Sequence, residues 1–180
     1  SAGCRSSGKG IPGHSGFCWA LRRSLVENHP FYDPMVMGSA DTLQAAAYFK
    51  HETDSALGRW VRDNCPETVL PDYSGWADRI DAVIKGSVYY TEGTLLHLWH
   101  GNKGNRLQKH KFKMLSLFSF DPLRDIRIGV NELWELSSDK PELRRAVADF
   151  FRVRNEEEDS VVFTSIMLDK LSDTQAILAD

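Results

Sequence analysis

His97 and His100 stand three residues apart around Trp99, and a short loop, Gly101-Asn102-Lys103-Gly104-Asn105-Arg106, comes directly after. Neutral imidazole is a good ligand for Mn2+ or Zn2+. Lys103 and Arg106 can neutralise phosphate through charge-assisted hydrogen bonds. Side by side, these residue types suit a metal-bound diphosphate. The apolar lead-in Thr94-Leu95-Leu96 reads as the end of a short strand, where side chains three apart face opposite ways. The two rings therefore share one ion only if the chain bends between them, which Gly101 allows. The same spacing also suits one strand-capping histidine beside one half-buried histidine, and two ligands fall short of the four or so of a closed zinc site.

A carboxylate offers the second piece of chemistry. Met35-Val36-Met37 is apolar, Gly38-Ser39 is a flexible break, and Ala40-Asp41 leads into the alanine-rich 42–50, whose composition is helical. Asp41 is thus expected at or just before a helix amino terminus, where the helix field favours a carboxylate. A plain helix cap and a general base are both compatible with that position.

The elements that must hold these groups are mostly helical. Residues 22–29 are expected to form a helix ended by Pro30, because the residue before a proline avoids helical geometry. Residues 57–65 continue in a helical vein, and 66–73 read as a connection. Residues 76–85 form an amphipathic helix with Trp76, Ile80, Val83 and Ile84 on one face, stopped by Gly86. Ser87-Val88-Tyr89-Tyr90 has β-prone composition and leads to the histidines. Residues 109–118 show Phe112, Leu115 and Phe118 at helical spacing beneath a solvated basic face. Asp121 can cap the next segment, residues 126–136 are mixed with Leu133 and Trp134 as anchors, and 141–155 form a helix with proline in its first turn. Its inward residues are Leu143, Val147, Phe150 and Phe151. Residues 161–180 read as a further helix or a tail.

The totals exclude several classes. The chain has 180 residues, 42% hydrophobic and 26% charged, enough for one folded domain with a core. Its net charge of −3 and sequence pI of about 6.1 provide no basic field for nucleic acid or anionic membrane. No apolar run is long enough to span a bilayer, and the polar start is unlike a secretory signal. Cys4, Cys18 and Cys65 share no metal spacing and read as reduced thiols of a cytoplasmic protein.

Several segments, in order, resemble the carboxy-terminal half of a family 2-like glycosyltransferase of the GT-A fold. They are His14-Ser15-Gly16-Phe17-Cys18-Trp19-Ala20-Leu21-Arg22-Arg23, Met37-Gly38-Ser39-Ala40-Asp41, and Gly93-Thr94-Leu95-Leu96-His97-Leu98-Trp99-His100-Gly101 with Arg106. The likeness continues through Phe120-Asp121-Pro122, Asp125-Ile126, Leu133-Trp134 and Phe150-Phe151-Arg152-Val153-Arg154-Asn155-Glu156, and so covers about residues 13–159.

The resemblance implies an α/β chain, mostly helical with a few short strands, that transfers a sugar from a nucleotide-diphosphate donor to a glycan or other acceptor hydroxyl. It places Asp41 as the catalytic carboxylate that binds the acceptor or takes its hydroxyl proton, and His100, with His97, on a divalent ion, Mn2+ or Mg2+. Lys103 and Arg106 would approach the donor diphosphate, and Trp19 and Trp99 would wall the sugar or acceptor. Residues 14–159 would be the glycosyltransferase-like half-domain, 1–13 a flexible lead and 160–180 a helix or tail. Enzymes of this fold carry their nucleotide-binding strands and an Asp-x-Asp motif in an amino-terminal half that 1–13 is too short to hold. The expected entity is thus part of such an enzyme, inactive or incomplete alone, with a non-catalytic binding or structural module of the same fold as the alternative.

Overall fold

The computed structural model describes residues 18–50, 55–89, 91–93 and 110–153. Seven helices and one two-stranded antiparallel sheet account for the regular structure of these residues. The helices are α1 (Arg23–Asn28), α2 (Ala40–Tyr48), α3 (Ala56–Asn64), α4 (Leu70–Ile84), α5 (Lys111–Leu117), α6 (Pro122–Asp125) and α7 (Pro141–Val153); the strands are β1 (Ile126–Ile128) and β2 (Trp134–Leu136). At this level the expectation of a mostly helical chain with a few short strands holds.

The alanine-rich stretch becomes the central helix. Leu43, Ala45, Ala46, Ala47 and Tyr48 of α2 are all buried, and both α3 and α4 pack against it. Three consecutive alanines keep α2 thin, so helix neighbours can approach on more than one side. Ser55 caps α3, its Oγ accepting from the Gly58 N–H at 3.0 Å.

Helix α4 starts earlier than its amphipathic pattern suggests. The composition of 66–73 predicts a connection, yet the helix begins at Leu70 with Pro71 in its first turn. Proline at that position forfeits no intrahelical hydrogen bond, so it opens a helix rather than breaking one. The buried stripe is Tyr73, Trp76, Ala77 and Ile80, while Val83, expected inside, is exposed. Lys85 and Gly86 end α4 with φ of 50° and 71°, a left-handed stop in keeping with the expected role of Gly86. Ser87, Val88 and Tyr89 form no strand.

The second half closes over the same core. Phe112, Met114 and Leu115 of α5, Phe120, Ile126, and Leu143, Phe150 and Val153 of α7 join the buried cluster that includes Met37, Leu43, Val61, Val69 and Ile80. Thr68 Oγ1 donates to the Phe120 carbonyl at 2.5 Å, linking the α3–α4 connection to the end of α5.

Asp121 caps α6 as expected, its Oδ1 accepting from the Leu123 N–H at 2.9 Å. Residues 126–136 resolve into a hairpin in which Ile126 pairs with Leu136, Arg127 with Glu135 and Ile128 with Trp134. Leu133 and Trp134, expected as anchors, are exposed, because only the base of this short hairpin reaches the core. Phe151 is also exposed, in edge contact with buried Phe150 at 5.2 Å between centroids. Adjacent helical residues point about 100° apart, so both rings cannot turn inward.

Candidate functional site

Asp41 belongs to a turn with unusual backbone geometry. Gly38 and Ser39 have φ of 86° and 75°, two consecutive left-handed residues immediately before α2. Glycine meets that demand without a Cβ clash; Ser39 meets it at a cost that surrounding contacts must offset. Ser39 is the cap residue, although its side chain makes no capping bond, and its carbonyl accepts from the N–H groups of Thr42 and Leu43. Asp41 is therefore the second residue of the helix, half-buried in the first turn. The expectation of Asp41 as a cap is corrected, because Ser39 takes the cap position, while the place of Asp41 at the positive end of the helix stands.

Lys111 arrives at the same turn from α5. Its Nζ lies 3.1 Å from where a Cβ on Gly38 would be and 5.8 Å from the centroid of the Phe150 ring. Three elements thus meet at this point: the start of α2, the start of α5 and the buried end of α7. The ammonium is held partly by the ring face, a cation–π contact. In the sequence Lys111 belongs to the basic face of 109–118, expected in solvent. Lys113, two residues on, is exposed, and no periodic signal separates the two lysines; the contact with Gly38 is long-range and exists only in three dimensions. Asp41 and Lys111 each have further partners.

Trp19 stands at the other end of α2. Its ring meets Tyr48 edge-on, with centroids 5.3 Å apart at 70°, and remains partly exposed. Seven residues separate Asp41 from Tyr48, about 10 Å of helix rise. Behind Tyr48 lies an aromatic cluster in which Tyr32 lies 5.5 Å from Tyr73 and 5.4 Å from Trp76. Its polar atoms are engaged: Trp76 Nε1 donates to the Pro30 carbonyl at 2.8 Å, Tyr73 Oη to the Leu43 carbonyl at 3.1 Å and Tyr32 Oη to Asp72 at 3.0 Å. Burial, and for Tyr32 also the Asp72 carboxylate, pushes both phenols well above the ordinary tyrosine range. They hold their protons at neutral pH and brace the helices. Burial likewise pushes the Cys65 thiol up to about 12, an inert thiol.

The segment Phe120-Asp121-Pro122…Asp125-Ile126 forms a structural joint. Asp125 is 1% exposed, and its Oδ2 accepts from Lys140 Nζ and from the Asp121 N–H, each at 2.8 Å. Lys140 Nζ also donates to the carbonyls of Ser119, at 2.8 Å, and Phe118, at 3.2 Å. Burial alone would raise the Asp125 pKa; the bonds from Lys140 and the Asp121 N–H outweigh it and hold the carboxyl below its ordinary value. The Ser137 N–H closes the joint on the Asp125 carbonyl at 2.8 Å.

His97, Trp99, His100, Lys103 and Arg106 lie outside the described residues. The one Asp-x-x-Asp spacing among the described residues of α4, Asp78 and Asp81, lies on the helix surface at Asp78, which is exposed and paired to Lys50. Among the described residues no three His, Cys, Asp or Glu side chains gather at metal-ligand spacing. No described helix is long and apolar enough to cross a membrane. Comparison with protein-family models, characterised proteins and solved structures finds no match.

Proposed function

We propose that the chain is part of a cytoplasmic, metal-dependent glycosyltransferase, the carboxy-terminal half of a GT-A fold, that moves a sugar from a nucleotide-diphosphate donor to an acceptor hydroxyl. The observation that carries this reading is the Gly38–Asp41 turn. It holds a half-buried carboxylate at a helix start, and the Lys111 ammonium reaches the same turn from a helix that begins soon after the two histidines in the chain. Trp19, edge-on to Tyr48 at the far end of the same helix, offers a partly exposed aromatic surface.

In this reading Asp41 binds the acceptor hydroxyl, and where the transfer inverts the anomeric centre it accepts the hydroxyl proton as general base while that oxygen attacks the anomeric carbon. Lys103 and Arg106 neutralise the departing diphosphate, interactions that strengthen as its charge grows. A divalent ion held by His97 and His100, Mn2+ or Mg2+, would supply Lewis-acid stabilisation of the same charge when bound. Trp19 and Trp99 give apolar faces to the sugar and acceptor.

The test is calorimetric and thermal. A nucleoside diphosphate should raise the melting temperature of a protein extended upstream only when Mn2+ is present, and His100→Ala should weaken Mn2+ binding far more than Trp99→Phe. Equal metal affinity in those two variants would remove the ligand assignment. An unshifted melting temperature with every donor nucleotide, in a protein extended upstream, would remove the transferase reading.

A further inference from the structure

Three departures from local preference meet at the start of α2. Gly38 and Ser39 are left-handed in succession, with φ of 86° and 75°, and only glycine takes that conformation without cost. Ser39 stands at the cap position, yet its side chain makes no capping bond. Lys111 then brings an ammonium to the end of a helix whose field disfavours a cation. Apart from Gly38 and its two chain neighbours, the atoms of the described residues within 4 Å of the point where a Gly38 Cβ would stand are Lys111 Nζ, at 3.1 Å, and Lys111 Cε, at 3.9 Å.

Stability alone would put a different side chain here. A surface lysine keeps its head in water and its rotamers free, whereas Lys111 is half-buried with its Nζ 5.8 Å from the centroid of the Phe150 ring. Phe150 is fully buried, so that ring is a fixed seat for the ammonium. The next residue along α5, Phe112, is buried too, which anchors the backbone end of Lys111. The side chain is thus braced by the core at both ends and meets the turn at the glycine that leaves room for it. Local preferences broken together, with the surrounding structure holding the exception in place, mark a functional position rather than a packing one.

We propose that Lys111 is the positioning residue for Asp41: its ammonium holds the Gly38–Ser39 turn in left-handed form and so fixes where the carboxylate stands. Asp41 is the acidic residue in the first turn of α2, three positions after Gly38, and an opposite charge at the turn draws it to that side. The bonds that start the helix depend on the same turn. The Gly38 N–H donates to the Met35 carbonyl at 2.8 Å, and the Ser39 carbonyl accepts from the N–H groups of Thr42 and Leu43 at 3.1 and 3.2 Å. A released turn loses these bonds, and Asp41 loses its place with them. The role of Asp41 rests on the transferase reading; the hold of Lys111 on the turn does not.

Hydrogen exchange reads the turn without donor or metal. In Lys111→Met, which keeps the length of the side chain, the amides of Gly38, Thr42 and Leu43 should exchange roughly tenfold faster than in the parent chain. The melting temperature should stay within about 2 °C of the parent, because the variant also removes a cation from a positive helix end. Lys111→Arg, which keeps a cation for the Phe150 ring, should hold those amides within about twofold of the parent rate. Unchanged exchange in Lys111→Met overturns the proposal, as does an Arg variant that exchanges like the Met variant. Faster exchange with a matching fall in melting temperature also overturns it, since Lys111 would then be an ordinary packing contact. In a protein extended upstream that releases nucleoside diphosphate from a nucleotide sugar, Lys111→Met should lower kcat about tenfold with the donor KM within about twofold. Full kcat beside faster exchange overturns the positioning role. A parent protein that releases none from any nucleotide sugar removes the transferase reading instead, and the exchange result still decides whether Lys111 holds the turn.

Discussion

Lys140→Met examines whether the buried joint at Asp125 holds the second half of the fold in place. The substitution keeps the length of the side chain and removes one ammonium with three acceptors: Asp125 Oδ2, the Ser119 carbonyl and the Phe118 carbonyl. Asp125, 1% exposed, keeps the bond from the Asp121 N–H but loses its cation. Removing one member of a fully buried ion pair costs about 3–5 kcal/mol. The Lys140 side chain is 35% exposed, so water takes up part of the loss, and about 2–3 kcal/mol is expected. For a chain of this length that lowers the melting temperature by roughly 5–10 °C.

The pH dependence gives the sharper check. Because Asp125 is held below its ordinary value, its contribution is fully present above the unfolded aspartate pKa of about 3.9 and is lost as pH falls through the lower folded value. In Lys140→Met the burial penalty is no longer opposed by the ammonium, so ionisation stabilises the variant far less. The difference between the two proteins in urea unfolding should therefore be largest at pH 7 and shrink at pH 3. A cost under about 0.5 kcal/mol at pH 7, or the same cost at both pH values, would refute the reasoning.

Other perturbations probe separate features. Gly38→Ala places a Cβ 3.1 Å from Lys111 Nζ at a φ of 86°, and should cost about 1–2 kcal/mol in denaturant unfolding; a neutral result would show that the turn relaxes freely. Cys65, pushed up to about 12 by burial, should resist thiol reagents at pH 8 until the chain unfolds, whereas exposed Cys18 reacts at once; mass-spectrometric mapping that finds both labelled together would contradict the packing. Trp76→Phe loses the 2.8 Å bond to the Pro30 carbonyl and should cost about 1 kcal/mol or more, with intact stability counting against that bond. Asp41→Asn, in a protein extended upstream, should abolish turnover while barely changing donor affinity; a fully active variant reduces Asp41 to a helix residue.

Local chemistry is legible in the sequence where the chain decides its own geometry. Pro30 and Gly86 as stops, Asp121 as a cap, the proline start of the last helix and the alanine-rich helix after Gly38-Ser39 all come from backbone preferences confined to a few residues. The histidine–glycine–basic stretch is legible as residue types only, since ligation depends on where two rings point. Contacts between distant segments are not legible in the same way. Val83, Phe151, Leu133 and Trp134 have core-type side chains, yet no core lies where their elements aim them. Lys111 and Lys113 look alike in sequence, and only the approach of α5 to the Gly38 turn distinguishes the cation at that turn from the exposed one. A propensity acts over a turn of helix, whereas burial and charge pairing are set by segments tens of residues apart, and only the folded chain brings those segments together.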